Sequence, residues 1–203
     1  MARIATVAPG QAGPEVQQAL EYTRIGMAQL AGRETERMTE PLELYAHLPG
    51  LLRGVGAMAQ ATSELHGLNP RHHALAHLKA ATLTNCEYCI DLGSQISRQW
   101  GLTDAELLAL PNYRTSDLFD EVDKLVLDYA VGMSRTPVDV SDELIARLRE
   151  HFDDAQIVEL THLIAVENMY GRFNMALGVG ATGFSEGMVC AIPETVPEAA
   201  PAR

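Results

Sequence analysis

The sequence predicts an all-α protein, a compact bundle of about seven to eight helices. Aromatic residues are only 5% of the 203 residues, whereas Ala, Leu and Met are frequent, which favours packed helices over packed sheets. Several segments carry apolar residues at helical spacing, and short connections with Pro, Gly or capping residues separate them. No β-hairpin pattern or tandem repeat occurs.

In the first half of the chain, each predicted helix begins near a proline or a capping residue and ends near Gly or Asn. The predicted segments are Pro14 to about Ala31, Leu51 to Leu65, Pro70 to about Thr84, and about Cys86 to Trp100. A short apolar segment, Leu42 to His47, lies between the first two helices and is followed by Pro49 and Gly50.

In the second half, Thr103 to Glu106 form a capping-box pattern that predicts a short helix through Leu110, ended by Pro111. The remaining predicted helices are Ser116 to Met133, Asp142 to Phe152, and Asp153 or Asp154 to Leu177. We expect residues 1–192 to form one domain, and residues 193–203, rich in Pro, Ala and Glu, to be a mobile tail.

Charge and composition exclude several classes of function. A formal net charge of −12 argues against a nucleic-acid partner and against binding to an anionic membrane surface. No stretch approaches the roughly 20 apolar residues of a membrane span, and the first residues do not resemble a signal peptide. Three cysteines are too few for a disulfide-stapled secreted scaffold. We therefore expect a cytoplasmic protein.

The strongest chemical signal is the pair Cys86 and Cys89 in the segment Cys-Glu-Tyr-Cys. Two cysteines three residues apart at a helix start are close enough for a disulfide. The helix start also lowers a thiol pKa, whereas Glu87 in the same turn opposes this. The pair is therefore a candidate redox centre; the structural alternative is two cysteines packed as small apolar residues. Cys190 has no cysteine near it in sequence and is expected to be incidental.

A second candidate is the histidine run before this pair. His73 and His77 are four residues apart on one helix face, and with Cys86 and Cys89 they would supply the four ligands of tetrahedral zinc. Hydrogen bonding at a helix interface is the simpler interpretation, and we predict neither a metal nor a cofactor.

Two further patterns have structural explanations. Gly178, Gly180 and Gly183 match a dinucleotide fingerprint, but they follow a long helix and not a strand, so a helix stop and loop is expected. Polar residues crowd the last helix and could bond locally in pairs, such as Glu159 with His162 and Glu167 with Tyr170, while a role in lining a pocket is the minority view.

The segment from Leu68 to Leu102, with the cysteine pair near its middle, resembles the carboxymuconolactone decarboxylase family and its alkylhydroperoxidase-D branch. The stretch from Ile157 to Gly180 is similar to that family's closing helix. The resemblance implies an all-α homo-oligomer and, for members with two such cysteines, peroxidase or disulfide reductase activity. It favours Cys89 as the attacking thiol and Cys86 as the resolving one; the helix-start argument alone favours Cys86.

The same resemblance places a relay Glu at position 74 and a relay His at position 93, and this chain has Ala74 and Gly93 there. We predict that His77 substitutes for the relay, because it lies three residues after Ala74 on the same helix face and an imidazole can accept a thiol proton near neutral pH. Asp91 is a further candidate proton acceptor, or else a solvated surface acid.

The sequence therefore predicts a peroxiredoxin-like thiol enzyme with Cys86, Cys89 and His77 as its catalytic residues. Its substrate would be a peroxide or a disulfide, and an external dithiol would reduce it. Two alternatives remain: an enzyme of the same fold acting on a small molecule without turnover at sulfur, and a metal-binding or redox-sensing module that uses Cys86, Cys89 and His77.

Overall fold

A computed structural model describes residues 2–194, which form nine α-helices, two short 3₁₀ helices and no β-strand. The α-helices are α1 (Pro14–Ala31), α2 (Glu40–Tyr45), α3 (Pro49–Ser63), α4 (Pro70–Leu83), α5 (Glu87–Gln99), α6 (Asp104–Ala109), α7 (Glu121–Ser134), α8 (Asp142–Leu148) and α9 (Asp154–Leu177). The 3₁₀ helices are Pro9–Gln11 and Leu110–Thr115. None of the helices within residues 2–194 is long and apolar enough to cross a membrane.

The all-α prediction is confirmed, and most helix bounds follow from their capping residues. Asn69 accepts the backbone N–H of Arg71 at the start of α4, as its position before Pro70 predicts. The predicted capping box of α6 is present, with reciprocal bonds between Thr103 and Glu106. Gly178 adopts a left-handed conformation with φ 72° and ends α9, which confirms the helix-stop interpretation of the glycine string.

Some predicted bounds were wrong. Helix α7 begins at Glu121 and not at Ser116, because Asp120 caps it by accepting the N–H of Asp123. Pro111 does not end the helical path, since a 3₁₀ helix continues through it to Thr115. Helix α8 stops at Leu148, four residues early. The predicted short apolar segment is helix α2, which is too short to show helical spacing.

Helix α4 is the centre of the bundle and packs against α5, α7 and α9. It is buried along most of its length, and four alanines (Ala74, Ala76, Ala80 and Ala81) are at most 2% exposed. Small side chains allow neighbouring helix backbones to approach closely. Beyond its first turn, α4 therefore lies in the interior, apart from His73 and His77, which are half-buried in the wall of a cavity.

One charged residue of α4 is also buried. Lys79 is 1% exposed, and its ammonium donates to the carbonyl oxygen of Leu110 at 3.0 Å and to Glu194 at 2.5 Å. Burial lowers the pKa of Lys79, and the neighbouring Glu194 opposes this. Glu194 also accepts the hydroxyl of Thr82 at 2.8 Å. Of the predicted mobile tail, only Pro193 and Glu194 fall inside the described residues.

Candidate active site

The cysteine pair lies at the turn between α4 and α5. Asn85 adopts a left-handed conformation with φ 54°, which Asn tolerates better than most residues, and turns the chain into α5. Cys86 is the N-cap residue, and its Sγ accepts the backbone N–H of Cys89 at 3.2 Å. The two residues form a disulfide with a Cα–Cα distance of 5.2 Å. The predicted pairing is therefore present in the structure.

Both sulfurs are sheltered from solvent, since Cys86 is fully buried and Cys89 is only 5% exposed. Cys190, in contrast, is half-buried and not part of a disulfide. A thiolate at Cys86 would be stabilised by the N–H that it accepts and by the helix dipole, whereas Cys89 is the more exposed residue of the two. The helix start thus gives the two cysteines different chemical environments.

Helix α9 supplies a polar contact to both sulfurs. The side-chain amide of Asn174 lies 3.5 Å from Cys86 Sγ and 3.6 Å from Cys89 Sγ, as a donor to each. One turn earlier is Gly171, where a Cβ atom would lie 2.3 Å from Thr84 Oγ1. Only a glycine at this position lets α9 lie directly on the α4–α5 turn. The close approach of the two helices brings Asn174 to the disulfide.

His77 makes the second polar arrangement of the site, with Glu167 of α9. Its Nε2 lies 2.8 Å from Glu167 Oε2, and Glu167 is only 2% exposed. The other side of the ring faces α5, where a Cβ atom at Gly93 would lie 3.4 Å from His77 Nδ1 and 3.5 Å from Cε1. Gly93 is four residues after Cys89 and shares its helix face, so the ring lies against the face of α5 that carries Cys89.

The predicted histidine therefore occupies the space beside the position where the resemblance placed a relay His. Burial alone lowers the pKa of His77, but the charge of Glu167 and its hydrogen bond outweigh burial, so the pKa lies above the ordinary value. His73, one turn away, behaves in the opposite way. Burial and then the nearby His77 and His66 lower its pKa to about 4, so His73 is neutral at physiological pH.

A cavity of about 530 Å³ opens beside this pair. His77, Glu167 and Gly93 are part of its wall, together with apolar residues that include Trp100 and Leu163. Neither cysteine is among its lining residues. The minority prediction that polar residues of the last helix line a pocket is confirmed for Glu167.

The predicted local pairs on the last helix were wrong, because these side chains bond to other elements. Glu159 accepts the backbone N–H groups of Gly67 and Leu68, at 3.0 and 3.3 Å, and fixes the turn before α4. His162 bonds to Thr62 Oγ1 at 2.8 Å on α3. Packing partners from other helices, which sequence spacing does not show, decided these contacts.

Asp91 is neither a proton acceptor at the cysteines nor a solvated acid. It is 4% exposed, and its carboxylate accepts the backbone N–H groups of Thr182, Gly183, Phe184 and Ser185 at 2.7–3.0 Å. Four N–H donors bound to one carboxylate hold the loop after α9 against α5. Asp91 is therefore a structural residue.

Within residues 2–194, no group of three or more His, Cys, Asp or Glu side chains is arranged to hold a metal ion, so the zinc alternative has no support there. His73 packs its ring edge-to-face on Trp100, with 4.8 Å between ring centroids. His77 is engaged by Glu167.

Comparison with known proteins shows several relatives. A model of the carboxymuconolactone decarboxylase family matches residues 49–130. The uncharacterized protein YnjA of Escherichia coli (strain K12) is 38% identical over 128 residues, which are 63% of this chain and 67% of that protein.

Two solved structures share the fold at low sequence identity. A variant of the debrominase Bmp8 in complex with 2,3,4-tribromopyrrole has a TM-score of 0.72 and 18% identity, over 88% of this chain and 92% of its own. The alkylhydroperoxidase AhpD core of a peroxidase-related protein from Ralstonia eutropha JMP134 has a TM-score of 0.70 and 19% identity, over 89% and 92%. The matched family range contains His77 and both cysteines, whereas Glu167 and Asn174 on α9 lie outside it.

Proposed function

The chain belongs to the carboxymuconolactone decarboxylase family, and from this premise we propose that it is a thiol peroxidase in which Cys86 and Cys89 alternate between dithiol and disulfide. The observation that carries the proposal is the buried Cys86–Cys89 disulfide with Asn174 on both sulfurs and with the His77–Glu167 pair against Gly93, four residues after Cys89. A structural disulfide would need neither the amide nor the histidine.

Cys89 is the attacking residue in this proposal, because it is the more exposed of the two cysteines and lies on the helix face that His77 approaches at Gly93. The Cys89 thiolate attacks one oxygen of the hydroperoxide, the O–O bond breaks, and an alcohol or water leaves once it has taken up a proton. The cysteine is then a sulfenic acid. The Cys86 thiol condenses with it, forming the disulfide and releasing water.

Reduction by an external dithiol completes the cycle and returns two thiols. The reductant attacks the sulfur of Cys89, the more exposed residue, and Cys86 leaves as a thiolate that accepts the N–H of Cys89. A leaving thiolate stabilised in this way makes the disulfide easier to open.

The experiment measures peroxide consumption by the purified protein with dithiothreitol as reductant, for wild type, Cys86→Ser, Cys89→Ser and the control Cys190→Ser. We expect turnover in wild type and Cys190→Ser only.

After peroxide, the tryptic peptide from Ala80 to Arg98, which contains both cysteines, should lose two hydrogens. Cys86→Ser should trap a sulfenic acid on Cys89; a sulfenic acid found only in Cys89→Ser would reverse the assignment. Full turnover in both active-site variants would refute the proposal.

A second candidate is a small-molecule enzyme that acts in the cavity without turnover at sulfur. The cavity favours it, because 530 Å³ far exceeds the volume of hydrogen peroxide and neither cysteine lines the wall. His77 and Glu167 would then be its acid–base groups. A Cys86→Ser/Cys89→Ser double variant separates the two candidates, since only this second enzyme would keep its activity.

We also propose that the protein is a homo-oligomer. Several large apolar side chains are widely exposed in the single chain, among them Tyr22 at 70%, Val158 at 68% and Leu48 at 62%. Apolar surface of this kind is commonly covered by a second copy. Light scattering that shows only a monomer at micromolar concentration would refute this.

A further inference from the structure

We propose that Glu167 is the positioning residue of a relocated proton relay, in which His77 on α4 and Glu167 on α9 replace the groups that the family carries at positions 74 and 93. The inference rests on the proposed thiol chemistry and names a residue outside the matched family range. Three observations carry it: the orientation of the His77 ring, the burial of Glu167 and the small residues at positions 74 and 93.

The orientation of the ring assigns a role to each of its nitrogens. Nε2 is occupied by Glu167 at 2.8 Å. Nδ1 is on the other side and faces α5 at Gly93, the position one turn after Cys89. With its proton on Nε2, the neutral ring presents the lone pair of Nδ1 towards the cysteine helix. A carboxylate that fixes the tautomer in this way orients a general base and stabilises the imidazolium that it forms.

Glu167 is buried beside one group that can take up a positive charge. Among the salt bridges within residues 2–194, its partner is His77, and its second oxygen, Oε1, is buried with no hydrogen-bond partner there. The titratable groups that interact directly with the pair are His73 on α4, Tyr88 on α5 and Tyr170 on α9, and His66 lines the same cavity beside His73. The pKa of His73 is low and those of both phenols are raised, so all three are uncharged near neutral pH. His77 is therefore the group beside Glu167 that can become positively charged, and Glu167 stabilises that charge once His77 has taken up a proton.

The small residues at positions 74 and 93 explain why the relay can lie elsewhere. Ala74 and Gly93 both form part of the cavity wall beside His77. A side chain at position 93 would start 3.4 Å from the His77 ring and 3.2 Å from Leu78 Cδ1, so an imidazole there and the ring of His77 compete for one space. A histidine at position 93 and the histidine at position 77 therefore exclude each other, and this chain has the one at position 77.

In the catalytic cycle the relay moves one proton. Neutral His77 takes the proton of the Cys89 thiol at Nδ1, which gives a thiolate and an imidazolium held by Glu167. When the thiolate attacks the peroxide, the departing alkoxide takes that proton and leaves as the alcohol. His77 is neutral again, and condensation of the sulfenic acid with the Cys86 thiol releases water without using the relay. Protons and electrons balance over the cycle.

The test compares Glu167→Gln with Glu159→Gln, a matched control that removes another buried carboxylate from the same helix, one that bonds to the turn before α4. The first measurement is the NMR titration of the His77 ring. In Glu167→Gln the His77 pKa should fall below the wild-type value, and in Glu159→Gln it should not change. The second is the rate of alkylation of the reduced pair against pH. The apparent thiol pKa should rise in Glu167→Gln alone, and peroxide turnover should fall by about 10²-fold.

Failure of this inference can be distinguished from failure of the proposed function. If wild type consumes no peroxide but the thiol pKa rises in Glu167→Gln, the relay stands and the peroxidase proposal fails. If the thiol pKa is unchanged in a folded Glu167→Gln, the relay is overturned whatever the activity. If Glu167→Gln does not fold, the NMR titration of His77 in wild type is the test. A relay requires the His77 pKa to differ between the disulfide and the dithiol states, and identical titrations in the two states overturn it.

Discussion

Exchanging the imidazole between positions 77 and 93 is the sharpest test of how these two positions share space. An ideal Cβ at Gly93 lies 3.2 Å from Leu78 Cδ1 and 3.4 Å from His77 Nδ1, which is tight but tolerable for a methyl group. The ring of a Gly93→His variant must extend beyond that Cβ into the volume that His77 fills. Overpacking of this kind typically destabilises a core by about 1–3 kcal/mol.

Removing the His77 ring should relieve most of that strain. We therefore expect Gly93→His to destabilise wild type by about 1–3 kcal/mol and to destabilise His77→Ala much less. The double variant should be less destabilised than the sum of the two single variants by about 1–2 kcal/mol, which is the coupling free energy of the double-mutant cycle. His77→Ala also removes the ion pair with Glu167. Because both variants that contain His77→Ala lack this pair, its loss cancels in the coupling free energy.

The assay is urea unfolding of the oxidised protein, followed by circular dichroism, with the m-value checked for constancy. Gly54→His is the control, since no heavy atom lies within 4 Å of a Cβ placed at that exposed position of α3. Its effect should add to that of His77→Ala within about 0.5 kcal/mol. If Gly93→His is equally destabilising with and without His77, our account of the shared space is refuted.

Three further predictions concern stability. Gly171→Ala should destabilise the protein by about 2–3 kcal/mol, because the new Cβ would lie 2.3 Å from Thr84 Oγ1. The control is Gly26→Ala, whose new Cβ has no heavy atom within 4 Å and which should stabilise α1 by about 0.5–1 kcal/mol in the same unfolding assay. Asp91→Asn loses an acceptor for the four N–H groups that its carboxylate holds, so we expect a loss of about 2–3 kcal/mol and faster proteolysis of the loop after α9; unchanged cleavage would contradict this. The pKa of His73 is about 4 in the folded protein and 6.5 ordinarily, so the unfolded chain takes up this proton at a higher pH than the folded protein does. The free energy of unfolding should therefore fall by up to about 3 kcal/mol as the pH drops from 6.5 to 4. His73→Phe should abolish this loss when unfolding is measured against pH.

Sequence patterns predicted the helices well wherever a local signal exists. The starts of α4, α6 and α9 depend on capping residues and on a proline, which act within one turn and are visible in the sequence. The bounds of α7 and α8 were less accurate because apolar spacing continues past the true ends of these helices. Asp120 caps α7 inside the predicted range, and after Leu148 the chain continues in turns, with the N–H of Phe152 donating to the carbonyl oxygen of Leu148.

The site was predicted only in its local part. Cys86, Cys89 and His77 are all signalled by spacing on or beside one helix. Glu167 contacts His77, which lies 90 residues earlier in the chain, and Asn174 contacts sulfurs that lie more than 80 residues earlier. Helical spacing relates only residues of one helix, so it predicted wrong partners for the polar residues of α9. One signal was available: Glu167, Gly171 and Asn174 recur at intervals of four and three, so they form a polar and small stripe on one face of α9.

The amide of Asn174 gives the cysteine pair a built-in spectroscopic reporter. In the disulfide one carboxamide contacts both sulfurs, at 3.5 and 3.6 Å, and once the pair is reduced the two sulfurs must move apart to non-bonded distance, so these contacts change. The ¹H–¹⁵N resonances of this single side chain should therefore take different positions in the disulfide and dithiol states. Equilibrating the protein with mixtures of oxidised and reduced dithiothreitol, and following that one signal, would give the midpoint potential of the pair without any chemical label.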